Sequence, residues 1–183
     1  SIFIEELTGD ANIVVKYGSI KAQSLMNASG KANVLTLGYS EGVIKSSGKI
    51  TGKLAYSDIK FGTVESYEGK LAYSDFEAAN LSKKLLTEAA YSDVQLENLE
   101  AGFELVEISS GYGDVNIVAA GDASFSYEMD TKYGDISAPK GAEKVGKDND
   151  HGPNFNKAVK GKVGSGAGGK IVVHAKYADV TLK

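Results

Sequence analysis

Triad or metal chemistry in this chain would turn first on its carboxylates and on His151 and His174, its only histidines. The two are neither close in sequence nor set in a ligand spacing, and His174 falls on an outward strand face, the pattern of a surface residue. A serine triad would need one of them beside a buried Asp, and no Gly-x-Ser-x-Gly elbow in a strand-to-helix context appears. Val163-Gly164-Ser165-Gly166-Ala167-Gly168-Gly169-Lys170 looks like a phosphate loop, but it lacks the Gly-Lys-Ser/Thr ending and leads into a strand, so it reads as a flexible turn. Asp148, Asp150 and His151 form a candidate ligand loop within Lys147-Asp148-Asn149-Asp150-His151-Gly152-Pro153. Their spacing is too short for the twelve-residue calcium loop. Glycosidase work needs two acids within ~5 to 9.5 Å, which stacked coils could supply, yet the acids here are evenly spread. No catalytic residue, metal site or cofactor is expected.

The even spread has a cause. Tyr, a small residue, Asp and an apolar residue recur at Tyr56-Ser57-Asp58-Ile59, Tyr73-Ser74-Asp75-Phe76 and Tyr91-Ser92-Asp93-Val94. Looser copies carry Tyr112 with Asp114, Tyr133 with Asp135 and Tyr177 with Asp179, and degenerate ones start at Tyr17 and Tyr39. Successive tyrosines are 22, 17, 17, 18, 21, 21 and 44 residues apart, the last reading as two rungs with one tyrosine missing. A period near 20 marks a solenoid, whose unit stacks on its copies because it cannot bury its apolar face alone.

Segments before the tyrosines alternate apolar and polar residues, the two-residue period of a half-buried strand. Ile13, Val15 and Tyr17 share a face, as do Phe125, Tyr127, Met129, Thr131 and Tyr133, so the motif tyrosines are expected to point inward as a structural ladder. Tyr67 is read as outward. After each tyrosine the small residue and Asp make a corner, with Asp58, Asp75, Asp93, Asp114, Asp135 and Asp179 each capping the amides of its own turn. One Asp per 17 to 22 residues is too sparse for the nonapeptide calcium repeat, which favours caps over a calcium ladder. Leu81–Ala89 has near-helical spacing, but the 18 residues from Tyr73 to Tyr91 leave room for a helical turn at most. For Glu97–Ile108, alternation favours strand. The expected fold is all-β, one domain over residues 1–183, a right-handed parallel β-helix with coils of about 17–22 residues and a loop insertion at 139–156. The repeat ends at Leu182 with only Lys183 beyond it, so that end should be exposed unless the loop folds over it or two chains meet there end to end, a possible homodimer.

Composition narrows the function classes. A net charge of -4 with interspersed signs offers no field for nucleic acid, and all 20 basic residues are lysine, which removes the bidentate fork of arginine. The absence of cysteine excludes disulfides and thiolate chemistry. The lack of tryptophan weakens a sugar-stacking platform. No apolar run approaches the ~20 residues that span a bilayer. The chain starts at Ser1 already in strand pattern, from which removal of a leader is expected.

The Tyr-Gly/Ser-Asp-Val/Ile unit, with the closing Gly-Ser-Gly-Ala-Gly-Gly-Lys-Ile-Val-Val-His-Ala-Lys-Tyr-Ala-Asp-Val-Thr-Leu, resembles the adhesin families of β-strand-repeat proteins exported by Gram-negative bacteria. The resemblance runs from about Ile13 to Leu182, departs from the pattern at Ser19 and Glu41, and carries no catalytic residues. It implies a right-handed β-helix, an extracellular or cell-envelope location, and adhesion. The expected function is therefore a non-enzymatic, secreted or cell-surface adhesin or envelope scaffold with a protein or glycan ligand. The alternatives are a carbohydrate-active β-helix enzyme and a calcium-dependent repeat module.

Overall fold

A computed structural model of the chain describes residues 1–145 and 156–183, so Asp148, Asp150 and His151 lie outside the described residues. Those residues contain sixteen strands and no helix. The first seven strands are β1 (Ile2–Leu7), β2 (Asn12–Lys16), β3 (Ser19–Leu25), β4 (Asn33–Gly38), β5 (Glu41–Ala55), β6 (Asp58–Ala72) and β7 (Phe76–Ala90). Then follow β8 (Val94–Leu99), β9 (Leu105–Gly111), β10 (Val115–Ala119), β11 (Phe125–Lys132) and β12 (Ile136–Ser137). The last are β13 (Glu143–Lys144), β14 (Asn156–Val163), β15 (Gly169–Lys176) and β16 (Val180–Leu182). Leu81 to Ala89 thus lies wholly in strand, and Glu97–Ile108 is strand on both sides of a turn at 100–104.

The strands wind into a β-solenoid. Each of the long strands β5, β6 and β7 runs from one tyrosine corner round to the next, and each lies parallel to its successor. The 17-residue copies superpose in register, Glu41 on Asp58 and Leu54 on Leu71. Where the spacing grows to 18, between β6 and β7, the extra residue is absorbed by a register shift between Val64 and Ser66. Alternation sends one side chain in two to a single core column by column. Ile20, Ile59, Phe76, Val94, Val115 and Val180 follow the corners and are all buried. Burying each such side chain favours folding by roughly 1.5–3 kcal/mol, and no single coil could do so without the next one over it.

Two expectations fail at the C-terminal end. Among the described residues, the 44-residue step from Tyr133 to Tyr177 holds no second parallel coil. After β12 the chain forms β13 and then β14, which runs antiparallel along β11, Phe125 opposite Val163 and Lys132 opposite Asn156. The loop boundary drawn at 156 is therefore the start of a strand. Nor is Leu182 at an exposed end. β15 enters between β9 and β11, pairing in parallel with both. β16 does the same between β10 and β12, and Leu182 is 1 % exposed. The last coil in sequence is thus second to last in space, and the antiparallel β14 closes the end by covering the edge of β11.

Candidate functional site

Eight tyrosines turn the corners: Tyr17, Tyr39, Tyr56, Tyr73, Tyr91, Tyr112, Tyr133 and Tyr177 all have φ between 50° and 63°. This left-handed conformation costs an L-residue roughly 1–2 kcal/mol and is uncommon for a bulky side chain. It also breaks the two-residue alternation. Val15 is buried and Lys16 exposed, and the next residue would point inward on a straight strand, but the positive φ swings Tyr17 outward. The inward expectation for the motif tyrosines is therefore wrong, because alternation does not survive a change of backbone basin. Their exposures run from 41 % for Tyr177 to 80 % for Tyr17. The buried tyrosines are Tyr67, read from sequence as outward, and Tyr127.

Outside the core the eight rings make one continuous stack in the order Tyr17, Tyr39, Tyr56, Tyr73, Tyr91, Tyr112, Tyr177, Tyr133. Neighbouring centroids are 4.6–5.1 Å apart and neighbouring planes within 11° of parallel. Each pair contributes roughly 0.5–1.5 kcal/mol, which offsets most of the backbone cost. The residue before each tyrosine is Gly38, Ala55, Ala72, Ala90 or Gly111 in the middle coils. At Tyr177 and Tyr133 it is Lys176 and Lys132, whose ammonium groups lie 5.3 and 5.1 Å from the centroids of the rings that follow them. Ring faces are largely occupied by other rings; edges and hydroxyls meet solvent.

The corner amides show why Ser and Asp follow Tyr. The tyrosine N–H donates to a carbonyl of the next coil, as Tyr56 does to Ala72 at 2.9 Å. The serine N–H donates to the next coil's serine Oγ, Ser40 to Ser57 and Ser57 to Ser74, each at 3.0 Å, and Ser74 to Ser92 at 2.9 Å. Each Oγ in turn donates to the carbonyl two residues back. The aspartate N–H donates backwards, from Asp75 to Asp58 Oδ1, Asp93 to Asp75, Asp114 to Asp93, Asp179 to Asp114 and Asp135 to Asp179, over 2.8–3.2 Å. Asp58, Asp75, Asp93, Asp114 and Asp179 thus cap the neighbouring coil's corner, where capping of their own turn was expected. Spacing reveals that a capping residue is present; only the stacking reveals which amide it caps. The like charges, about 4.8 Å apart by strand spacing, stay exposed, and Asp135, at the end of the row, pairs with Lys157 of β14.

Beside the stack, on the outward side of β5, β6, β7 and β9, lies a shallow groove of about 530 Å³, lined among others by Lys53, Glu68, Lys70, Glu88, Glu107 and Ser109. Register puts Lys53, Lys70, Glu88, Ser109, His174 and Asp130 in one column, basic at one end and acidic at the other. Lys70 bonds Glu88 at 2.7 Å, and His174 Nδ1 lies 2.5 Å from Asp130 Oδ2. Ser109, His174 and Asp130 are thereby neighbours, a row that sequence separation hides. The row is open to solvent, and strand amides on both sides of it are engaged in the ladder, which leaves no pair of donors for an oxyanion among these strand residues. No group of three or more His, Cys, Asp or Glu side chains among the described residues could hold a metal ion.

No curated protein and no solved structure matches the chain. The model of the Toastrack DUF4097 family matches residues 6–164, well over half of the sequence. Its match takes in the tyrosine corners from Tyr17 to Tyr133 and stops before the inserted β15 and β16. The chain belongs to the Toastrack DUF4097 family.

Proposed function

We propose that this protein is a non-enzymatic β-solenoid scaffold that presents its groove to a protein or glycan ligand outside the cytoplasm, in adhesion or in organising the cell envelope. One observation carries the reading. The repeated polar residues bond coil to coil, serine to serine and aspartate to amide, so the recurring chemistry builds a rigid support. The polar groups that vary from coil to coil, Lys53, Lys70, Glu88 and Glu107, face the groove instead. A surface of that kind suits recognition, since solenoids use such faces to bind. The adhesion and envelope parts of the reading draw support from the resemblance of the Tyr-Ser-Asp repeat to exported adhesin-type proteins.

A glycan and matrix-protein array tests it with the parent chain beside a Lys53→Ala, Lys70→Ala double variant. Binding to one ligand class, weakened at least tenfold in the double variant, is the expected result. An array on which the folded parent binds nothing, or binding that the double variant retains in full, would sink the proposal.

A further inference from the structure

We infer that the tyrosine stack is a site of oxidative modification, at which phenols of adjacent coils couple to dityrosine and staple the solenoid along its edge. The chain has neither cysteine nor tryptophan, so tyrosine is the most readily oxidised aromatic side chain it presents to a one-electron oxidant. Eight of its ten tyrosines form the exposed stack, and the other two, Tyr67 and Tyr127, are buried. Tyr56, Tyr73 and Tyr91 are close to translational copies, with centroids 4.8–4.9 Å apart and planes within 2°. Each ring carbon therefore lies about that far from its counterpart. The ring edges, which carry the reacting ortho carbons, are the parts open to solvent. A modest tilt of two exposed rings then brings ortho carbons into bonding range with no change in the ladder beneath.

The oxidant is hydrogen peroxide acting through a haem peroxidase. Two tyrosines each lose one electron and the phenolic proton, and the two phenoxyl radicals join through one carbon–carbon bond between ortho positions. Each ring then returns its ortho hydrogen to its own oxygen, restoring two phenols. One peroxide accepts the two electrons and two protons and leaves as two waters. In a chain without disulfides, such bonds would link coils 17 or 18 residues apart in sequence and close loops in the unfolded chain.

The test uses the whole chain, dilute, with peroxidase and peroxide, followed by cleavage after lysine and mass spectrometry. Cleavage releases Leu54–Lys60, which carries Tyr56, and Leu71–Lys83, which carries Tyr73. The expected product joins these two peptides at their summed mass less two hydrogens, with the blue fluorescence of dityrosine. Tyr56→Phe and Tyr73→Phe, which keep a stacked ring, should each abolish that product while leaving a Tyr17–Tyr39 link in place. Three results would overturn the inference: no such joined peptides from the folded chain, the same yield from chain unfolded in guanidinium, or links formed at Tyr67 or Tyr127 in preference to the stack.

Discussion

A tyrosine held at φ near 52° combines two opposed contributions, and variants at Tyr73 can separate them. Tyr73 stacks on Tyr56 and Tyr91 at 4.9 and 4.8 Å. Phenylalanine keeps both contacts, so Tyr73→Phe should change stability by less than about 0.5 kcal/mol. Tyr73→Ala loses the stacking and keeps the strained backbone, while Tyr73→Gly loses the stacking and is relieved of the strain. Urea denaturation should therefore rank glycine above alanine by about 1 kcal/mol, the reverse of their order in a helix or strand. Equal stability of the two variants would show that the left-handed corner is not a cost the stack offsets. Ionisation of three other phenols gives a second test. Burial and the neighbouring Tyr177 and Tyr91 push the Tyr112 phenol above its ordinary 10.0, and burial pushes Tyr67 and Tyr127 the same way. A raised phenol holds its proton in the folded state after the unfolded chain has lost it, so stability is fully present below pH 10 and falls as pH rises beyond it. Thermal melts should be flat from neutrality to about pH 9 and drop steeply above 10; an unchanged melt at pH 11 would contradict this.

At the scale of the coil, two glycines make room for the buried tyrosines. A Cβ on Gly52 would lie 2.2–2.5 Å from the ring and hydroxyl of Tyr67, and one on Gly161 would lie 2.3–2.9 Å from Tyr127. Gly52→Ala should accordingly destabilise by about 1–3 kcal/mol through overpacking. Tyr67→Phe should do the opposite, because no protein group partners the Tyr67 hydroxyl among the described residues. Removing a buried unpaired hydroxyl is worth about 1 kcal/mol, and the double variant should recover part of the loss, measurable as a coupling in a denaturation cycle. The same pairs explain what the sequence could disclose. Period and alternation follow from local geometry, so the corners and the strands that lead into them are readable in one dimension, whereas the near-helical spacing of Leu81–Ala89 conceals a strand. Tyr67 and the motif tyrosines are misread for two separate reasons. Alternation has no phase of its own across a left-handed corner, and within β6 the buried side chains step from Phe61 to Val64 to Tyr67, so the two-residue period slips before Tyr67. The partner of each capping aspartate, and the row of Ser109, His174 and Asp130, depend on which coil lies on which, a property that no single coil carries.

The whole molecule departs from one-dimensional repetition at its last coil, and there the sequence order misleads most. A solenoid that simply added coils would end at Leu182, and the edge of that coil would be bare. Instead, residues 125–137 occupy the next-but-one level, β14 turns back along their edge, and β15 and β16 fill the level left between. The two ends thus differ. β14 covers the edge of β11, whereas at the other end β2 pairs with β4 alone among the described strands, and Phe3 and Val14 are exposed. A segment near the chain terminus normally frays first, but β15 and β16 have strands on both sides, so their amides should resist hydrogen exchange as long as those of β9, and those of β2 should exchange sooner. Leu182 gives the decisive substitution. It is fully buried over Ile117, one residue before the end of the chain. Leu182→Glu would place a carboxylate in that column with no basic partner in the core, so the group must either protonate or draw the strand out. Loss of the leucine contacts alone costs about 2–5 kcal/mol, and the charge adds to it. A fall in melting temperature of many degrees follows, together with loss of exchange protection in β15, β16 and β11 as one unit, while β5 and β6 keep theirs. Lys183→Glu, one residue further on and exposed, is the control and should leave both measurements unchanged. If Leu182→Glu melts like the parent, the C-terminal coil is not held between β10 and β12, and the inserted-coil topology is wrong.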